Sequence, residues 1–296
     1  MFAGVHTALV TPFLEDFTLD ADAFRAIIDD QLDNGVAGIV PCGTTGESPT
    51  LTHEEHVRVI QLAVRHTAGR GIVIAGTGSN STTEAINLTQ AAELAGADAS
   101  LQVAPYYNKP SQDGLYRHFR AIAQSTELPI MLYSIPGRCV IEIEVDTVAR
   151  LAEDCSNIVA IKEAGGRTER VTALRAKLPD DFQILSGDDG LTVPFMKEGA
   201  CGVVSVTSNI LPKVMADLVS AMADGNTADA ESLHAQYEPL FNGMLGIDVN
   251  PVPIKAALAL AGKCNGRLRL PLCEMAEEKV ADLRKILESA GVELSN

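Results

Sequence analysis

The chain has 296 residues, of which 46% are hydrophobic and 21% charged, so it can bury a large core. Its formal net charge of −16 argues against nucleic acid or an anionic membrane surface as a partner, and an anionic substrate would need a local cation. No apolar stretch has membrane-spanning length, the first residues lack signal-peptide features, and the six cysteines form no C-x-x-C pair. We therefore expect a cytoplasmic protein.

Eight short apolar runs, rich in valine and isoleucine, recur along the first two thirds of the chain. Most of them lack the alternating pattern of a half-exposed strand, so they are typical of strands that are covered on both faces in a parallel sheet. The runs span positions 5–13, 38–43, 72–77, 99–107, 129–136, 158–164, 182–187 and 202–207.

The segments between these runs have the signals of helices. Asp20 is a predicted N-cap, and Thr52 and Glu55 have the spacing of a capping box, which Ser81 and Glu84 repeat. Strands that alternate with helices in repeats of roughly 28 residues predict an α/β fold of the (β/α)₈ TIM-barrel type. A doubly wound open sheet is the alternative, and no local feature excludes it.

The strand signal disappears after position 211. The segments 212–224, 227–246, 253–262 and 274–290 have the apolar spacing of helices. We predict that residues 1–211 form a catalytic barrel and that residues 212–296 form a C-terminal helical extension of the same unit.

Lys162 is the only lysine inside a predicted strand run. The active site of a parallel barrel gathers at the C-terminal ends of its strands, and lysine is rarely buried without a reason. A desolvated lysine loses its proton more easily and can attack a carbonyl, so we interpret Lys162 as an amine nucleophile. The alternative is a barrel-end lysine that pairs with Glu163 or another acid.

The fifth run contributes two candidates for the same site. Tyr133 is expected to point inward, where a phenol can donate and accept protons; a core tyrosine is the alternative. Arg138 follows Pro136 in a predicted loop, where a guanidinium can bind a carboxylate with two hydrogen bonds. A surface arginine without a ligand is equally compatible with the sequence at that position.

Two loops that follow predicted strands carry further polar groups. The loop 43–48 offers glycines that let a ligand approach the backbone, and Thr44 and Thr45 add hydroxyls that can relay protons. Tyr106 and Tyr107 are adjacent, so on a strand one faces the site and the other faces outward; packing is the alternative for both.

His53 and His56 lie three residues apart on a predicted helix and could hold a metal ion. No third ligand is evident nearby, so the alternative of solvated or capping histidines is favoured. We predict no metal site and no cofactor.

Four motifs together resemble the dihydrodipicolinate synthase family, whose members are also called 4-hydroxy-tetrahydrodipicolinate synthases. The family belongs to the pyruvate-dependent lyases and aldolases that use a lysine Schiff base. The motifs are GTTGE at 43–47, PYYN at 105–108, Tyr133-x-x-Pro136-x-Arg138 and IKEA at 161–164. The segments 186–189 and 202–207 extend the match over nearly the whole chain.

The resemblance implies a TIM-barrel lyase that condenses pyruvate with L-aspartate 4-semialdehyde in the diaminopimelate route to lysine. It implies that Lys162 forms the imine with pyruvate, and that Tyr133, Thr44 and Tyr107 relay protons, with Tyr107 supplied by a neighbouring subunit. The implied assembly is a homotetramer, a dimer of dimers. The implied substrate-binding residues are Thr45 for the pyruvate carboxylate, Arg138 for the semialdehyde carboxylate, the Val204 carbonyl and Gly187.

The resemblance also implies regulation by L-lysine as an effector. The residues that match the lysine-binding groove of the family are Ser48, Pro49, His53, His56, Asn80, Glu84 and Tyr106. Glu84 offers an anion for the ammonium group of the effector, and Pro49 is expected to stiffen one wall of the groove.

Two positions depart from the family pattern. Ser134 stands where the family commonly has asparagine, and Val140 stands where it commonly has glycine. Valine tolerates fewer backbone conformations than glycine, which predicts a differently shaped loop after Arg138.

Three other functions are considered beside the synthase. A Schiff-base lyase of a sugar keto acid, such as N-acetylneuraminate or 2-keto-3-deoxygluconate, shares the lysine and the tyrosine but normally lacks an arginine at position 138. A metal-dependent aldolase would use His53 and His56. A barrel that only senses a keto acid would need no proton relay.

Overall fold

The computed structural model describes residues 1–295 and contains a closed barrel of eight parallel strands. The strands are β1 (Gly4–Ala8), β2 (Gly38–Val40), β3 (Ile72–Gly76), β4 (Ala99–Val103), β5 (Ile130–Ser134), β6 (Ile158–Glu163), β7 (Gln183–Ser186) and β8 (Gly202–Ser205). Neighbours in sequence are neighbours in the sheet, and β8 closes the barrel by pairing with β1. The predicted TIM barrel is therefore confirmed, and the open-sheet alternative is wrong.

The observed strands are shorter than the predicted runs at their C-terminal ends. The longest predicted runs, 5–13 and 99–107, contain strands of five residues each, Gly4–Ala8 and Ala99–Val103. The residues beyond them form loops at the rim of the barrel, where 9–13, 104 and 105 are buried and Tyr106 and Tyr107 are exposed. Hydrophobicity alone does not reveal where the ladder of hydrogen bonds ends.

Helices surround the barrel and continue beyond it. Within residues 1–295 they are α1 (Ala21–Asp33), α2 (His53–Thr67), α3 (Thr82–Ala95), α4 (Gln112–Ala123), α5 (Pro136–Cys139), α6 (Val145–Asp154), α7 (Thr168–Lys177), α8 (Thr192–Lys197), α9 (Pro212–Ala223), α10 (Thr227–Gly246), α11 (Val252–Leu260) and α12 (Glu277–Ser289). No helix in this described range is long and apolar enough to cross a membrane.

The helix caps follow the sequence signals with one departure. Asp20 accepts a hydrogen bond from Ala23 N at the start of α1, and Thr52 and Glu55 form a complete capping box on α2. The hydroxyl of Ser81 caps α3, but the carboxylate of Glu84 does not return to the cap. It instead contacts Ser79 and His53, so Glu84 is diverted from a helix cap into a polar cluster.

Apolar side chains fill much of the inside of the barrel. Ile74, Met131, Ala160 and Leu185 pack there in one cluster. Burial of a side chain of this size stabilises the fold by roughly 1.5–3 kcal/mol. Because Tyr133 belongs to the same cluster, it rests directly on this packed core.

The C-terminal helices pack on the barrel and on one another. α9 covers β1 and β8, with Met215 and Leu218 in contact with the cluster that contains Val5 and Val203. α10, α11 and α12 pack on one another. The division between residues 1–211 and 212–296 stays a prediction, and α9 lies on the C-terminal side of it although it covers strands of the barrel.

Candidate active site

Lys162 and Tyr133 are direct neighbours across the β5–β6 ladder. Because residues in register on neighbouring strands point to the same side of a sheet, both side chains enter the barrel together. Lys162 Nζ lies 4.3 Å from the centroid of the Tyr133 ring. Both residues are buried, at 6% and 5% exposure. The structure thus brings together the two residues that the sequence analysis placed at the centre of the site.

Burial lowers the pKa of Lys162 from 10.5 to about 8. The negative charge of Asp189 opposes this effect, and the positive charge of Arg138 adds to it. A pKa near 8 leaves on the order of a tenth of the amine neutral at pH 7, compared with less than a thousandth for an exposed lysine. This amine can therefore act as a nucleophile towards a carbonyl carbon at neutral pH.

Burial raises the pKa of the Tyr133 phenol, and the charge of Arg138 acts in the opposite direction. Tyr133 therefore stays protonated at neutral pH and is a donor that can pass its proton on. It lines a cavity of about 250 Å³ together with Thr44, Cys139 and Arg138. The cavity is large enough for a keto acid of a few carbon atoms beside the phenol.

Gly187 forms the wall against the side chain of Lys162. A Cβ atom at this position would lie 3.0 Å from Lys162 Cε and 2.7 Å from the Ala164 Cβ. No larger residue fits there unless the lysine moves, so Gly187 fixes the course of the lysine side chain. Val204 lies on β8, is 1% exposed and belongs to the same interior cluster as Tyr133.

The loop between β2 and α2 carries the two threonines of the site. Thr45 is 2% exposed, and its hydroxyl accepts a hydrogen bond of 3.1 Å from the side-chain amide of Asn250. Two residues further on, Glu47 is fully buried and forms an ion pair with Lys255 of α11. The C-terminal extension therefore holds the threonine loop from outside the barrel.

Arg138 lies in the short helix α5 and not in the loop that the sequence predicted. Pro136 supplies the fixed φ angle for the first turn of this helix, which explains why a proline did not exclude helix here. The guanidinium of Arg138 is exposed and donates a hydrogen bond of 2.9 Å to the carbonyl oxygen of Asn250. Asn250 thus contacts both predicted carboxylate-binding residues, Thr45 and Arg138.

Asn250, Lys255 and Asp189 are parts of the site that sequence reasoning missed. Asn250 and Lys255 lie in the C-terminal extension, far along the chain from the residues that they contact. A fully buried lysine and glutamate give no local signal, because their pairing depends on the tertiary fold. The SGDD segment at 186–189 contained the signal for Asp189, but no role was attached to its second aspartate.

Val140 ends helix α5 with a φ angle of 66°, in the left-handed region. This conformation is costly for a β-branched residue and easy for glycine. Val140 thus adopts the left-handed conformation although it is not a glycine. Ser134, the other departure, is buried, and its hydroxyl accepts a hydrogen bond from Ile143 N in the segment that follows.

Tyr106 and Tyr107 lie beyond the end of β4, so the alternation expected for a strand does not apply to them. Tyr107 has a φ angle of 72° and is 89% exposed, so within a single chain it stands outside the cavity. Tyr106 is 37% exposed and lines the cavity that contains Tyr133. The structure thus separates two residues that the sequence treated as a strand pair.

A second cavity of about 240 Å³ lies behind the first and is lined by most of the residues of the predicted effector groove. These are Ser48, Pro49, His53, His56, Glu84 and Tyr106, to which the structure adds Ser79, Leu51, Leu88 and Gly78. Asn80 lies at its edge, where its side chain donates to the carbonyl oxygen of Tyr106. Ser48, Pro49, Gly78 and Tyr106 line both cavities and form a shared wall.

The two histidines of this groove have protein partners. His53 Nε2 lies 2.5 Å from Glu84 Oε1, and His56 Nε2 lies 2.7 Å from the carbonyl oxygen of Gly76. Hydrogen bonds from Ser79 and His53 keep the pKa of Glu84 low, whereas burial lowers that of His56. Within residues 1–295, no group of three or more histidine, cysteine, aspartate or glutamate side chains is arranged to hold a metal ion.

Residues 1–290 match the model of the dihydrodipicolinate synthetase family. A 4-hydroxy-tetrahydrodipicolinate synthase from Endomicrobium trichonymphae is 48% identical over 292 residues, which are 99% of this chain and 99% of that protein. The crystal structure of dihydrodipicolinate synthase from Aquifex aeolicus superimposes with a TM-score of 0.98 at 46% identity and covers 100% of both chains.

Two similar solved structures contain small molecules. The enzyme from Cyanidioschyzon merolae with lysine bound has a TM-score of 0.95 at 42% identity, with 99% of each chain covered. The chloride-inhibited enzyme from Acinetobacter baumannii complexed with pyruvate has a TM-score of 0.96 at 42% identity, with 99% of this chain and 100% of that chain covered.

Proposed function

The chain belongs to the dihydrodipicolinate synthetase family, and on that basis we propose that Lys162 is the amine through which it forms a Schiff base with pyruvate. Its reaction is the condensation of pyruvate with L-aspartate 4-semialdehyde to 4-hydroxy-tetrahydrodipicolinate, a step of lysine and diaminopimelate biosynthesis. The protein is thus a lyase, and we expect it to work in the cytoplasm.

The observation that carries the proposal is the pairing of a buried amine of lowered pKa with a protonated phenol. The Nζ lone pair forms a bond to the ketone carbon of pyruvate, and the oxygen, once protonated, leaves as water. The resulting iminium draws electrons from the neighbouring methyl group, which loses a proton and becomes a carbon nucleophile towards the aldehyde.

Tyr133, Thr44 and Tyr107 form the proton relay in this proposal. Tyr133 supplies a phenol at the reacting oxygen, and Thr44 lines the same cavity. Tyr107 comes from a neighbouring subunit, and its 89% exposure in the single chain leaves it free to enter a partner site. The active unit is then at least a dimer, within a homotetramer built as a dimer of dimers.

Four residues bind the substrates. In this proposal Gly187, which lies against the Lys162 side chain, the carbonyl group of Val204 on β8, and Thr45 surround pyruvate. Arg138 is the exposed cation at the mouth and binds the carboxylate of the semialdehyde by a bidentate contact. A local cation is needed because the chain as a whole carries a formal charge of −16.

Borohydride trapping tests the Schiff base directly. Pyruvate and sodium borohydride together should inactivate the protein and add one reduced pyruvate unit to the peptide that contains Lys162. Borohydride alone is the control, and Lys162→Ala should give no adduct and no activity. An adduct on another lysine, or an active Lys162→Ala protein, would contradict the proposal. Cleavage of N-acetylneuraminate or 2-keto-3-deoxygluconate at a higher rate than synthase turnover would favour the sugar-acid alternative.

A mixing experiment tests whether Tyr107 acts in a neighbouring site. Lys162→Ala and Tyr107→Phe are each expected to be nearly inactive alone. After dissociation and reassembly together, mixed dimers contain sites with an intact Lys162 and an intact Tyr107 from the other chain, so activity should return. Reassembly of Lys162→Ala with Lys162→Ala/Tyr107→Phe is the control, and it should stay inactive because neither chain has Lys162. No recovery in the mixture would mean that Tyr107 serves its own chain or none.

We also propose that the second cavity binds L-lysine as an inhibitor. The carboxylate of Glu84 would pair with an ammonium group of the effector, and His53, His56, Ser48, Asn80 and Tyr106 would complete the site. Titration calorimetry with L-lysine should show binding that Glu84→Gln weakens at least tenfold, whereas pyruvate turnover without lysine changes little. Unchanged turnover in millimolar lysine, with no heat of binding, would contradict this proposal.

A further inference from the structure

Asp189 is a buried carboxylate two residues beyond Gly187, which lies against the side chain of the proposed catalytic lysine, and neither the reaction nor the effector groove uses it. It follows β7 in the segment that contains Gly187, where an added Cβ atom would lie 3.0 Å from Lys162 Cε, and it is only 5% exposed. An isolated carboxylate at that depth is costly unless other groups compensate its charge.

The two oxygens of this carboxylate have different surroundings. Asp189 Oδ2 accepts hydrogen bonds from the backbone amides of Val206 at 3.1 Å and Thr207 at 2.8 Å. Asp189 Oδ1 is buried and has no hydrogen-bond partner among residues 1–295. The two amide donors fix the orientation of the carboxylate. The unpartnered oxygen therefore contributes an oriented negative charge at the end of the barrel.

We propose that Asp189 is the fixed counter-charge of the site, which stabilises the cationic forms of Lys162, namely the ammonium and the iminium that it forms with pyruvate. This inference rests on the proposed function of Lys162. Asp189 acts through the lysine and is a positioning residue. Its hydrogen bonds to the amides of Val206 and Thr207 also fix its position relative to the end of β8, the strand that carries Val204.

The charged and polar groups around Lys162 are consistent with this role. Arg138 approaches from α5 and opposes protonation, and the neutral phenol of Tyr133 lies on β5. Glu163, the next residue on β6, is engaged by Arg170 and is not available to the amine. Asp188 accepts a bond from Gly190 N. Asp189 is thus the acidic group whose charge opposes the lowering of the Lys162 pKa by burial.

Asp189→Asn removes the charge and leaves an oxygen that can accept both amide bonds. The rate of imine formation with pyruvate is measured against pH by timed quenching with borohydride and mass analysis of Lys162. In the wild-type protein the rate should rise with pH until the amine is neutral. The midpoint of this rise should fall by about one pH unit in Asp189→Asn, because loss of an opposite charge lowers the pKa of an ammonium group.

The pyruvate concentration for half-maximal trapping gives a second, sharper readout. Above the midpoint it should rise roughly tenfold in Asp189→Asn, since a neutral amine becomes a cation without its counter-charge. Well below the midpoint it should hardly change, because ammonium and iminium carry the same charge. A merely structural defect would weaken trapping at every pH and leave the midpoint in place, which would overturn the inference.

Asp188→Asn is the matched control, with the same change one residue away, and it should leave the midpoint within a few tenths of a pH unit. If Asp189→Asn does not fold, a crystal structure of the trapped wild-type protein provides the test. Asp189 Oδ1 should then lie within about 6 Å of the lysine nitrogen, and a larger distance would overturn the inference. Absence of any adduct on wild-type Lys162 would instead contradict the proposed function itself.

Discussion

Lys255 and Glu47 form an ion pair in which both side chains are completely buried. The pair joins helix α11 of the C-terminal extension to the loop that carries Thr44 and Thr45. Lys255 also donates to the carbonyl oxygen of Arg267, and the amide of Arg269 donates to Glu47. Each charged group of the pair thus has a further hydrogen-bond partner, which a buried ion pair needs to offset its loss of hydration.

Lys255→Met should destabilise the protein by about 3–5 kcal/mol, because it leaves the charge of Glu47 buried without its main partner. Chemical denaturation monitored by circular dichroism measures the loss. Lys263→Met is the matched control, since Lys263 pairs with Asp30 and both are about one-third exposed, at 32% and 33%. That change should cost less than about 1 kcal/mol. The double variant Lys255→Met/Glu47→Leu should recover much of the stability; a double variant as unstable as the single one would contradict this account.

Asn250→Ala should raise KM for pyruvate by roughly 2- to 10-fold, because it removes the donor that orients the Thr45 hydroxyl. KM for the semialdehyde should change less, since the contact to Arg138 uses the backbone carbonyl of Asn250 and survives the substitution. A double-mutant cycle with Thr45→Val measures the coupling. Strictly additive effects would mean that the contact does not contribute to pyruvate binding.

Val140→Gly should stabilise the protein by roughly 0.5–1 kcal/mol, as relief of the left-handed strain exceeds the entropic cost of a glycine. Val140 is 64% exposed, so little buried surface is lost. Val140→Ala keeps the Cβ atom and should show no comparable gain in thermal denaturation. Equal stabilities of the alanine and glycine variants would show that strain at this residue is negligible.

The kcat/KM for pyruvate should rise with pH and level off with a midpoint near 8, since only the neutral amine of Lys162 is a nucleophile. Arg138→Met should move the midpoint of imine formation to higher pH, because it removes a positive charge that disfavours the ammonium form. The direction is opposite to that expected for Asp189→Asn. A wild-type midpoint near the ordinary lysine value of 10.5 would show that burial does not activate the amine.

The sequence was sufficient to predict the barrel and to place Lys162 and Tyr133 on two of its strands. Valine-rich runs without alternation indicated strands buried on both faces, and the position of Lys162 within such a run singled it out. Lys162 and Tyr133 are in register on neighbouring strands, so their contact follows from the strand order together with that register. Boundaries were less accurate, because apolar rim residues continue the pattern of each strand beyond its last ladder bond.

What the sequence could not provide depends on contacts between distant segments. Asn250 meets Thr45 across 205 positions, and Lys255 meets Glu47 across 208. No spacing rule links such pairs, since the path of the C-terminal extension over the barrel decides them. The helix at Arg138 was missed for a different reason: its four residues are too few to show a helical period.

The wall shared by the two cavities has a consequence for inhibitors. Ser48, Pro49, Gly78 and Tyr106 line the cavity that contains Tyr133 on one side and the second cavity on the other. A small-molecule inhibitor in the second cavity would contact this shared wall without occupying the cavity that contains Tyr133. A substitution in this shared wall would therefore change the shape of both cavities at once.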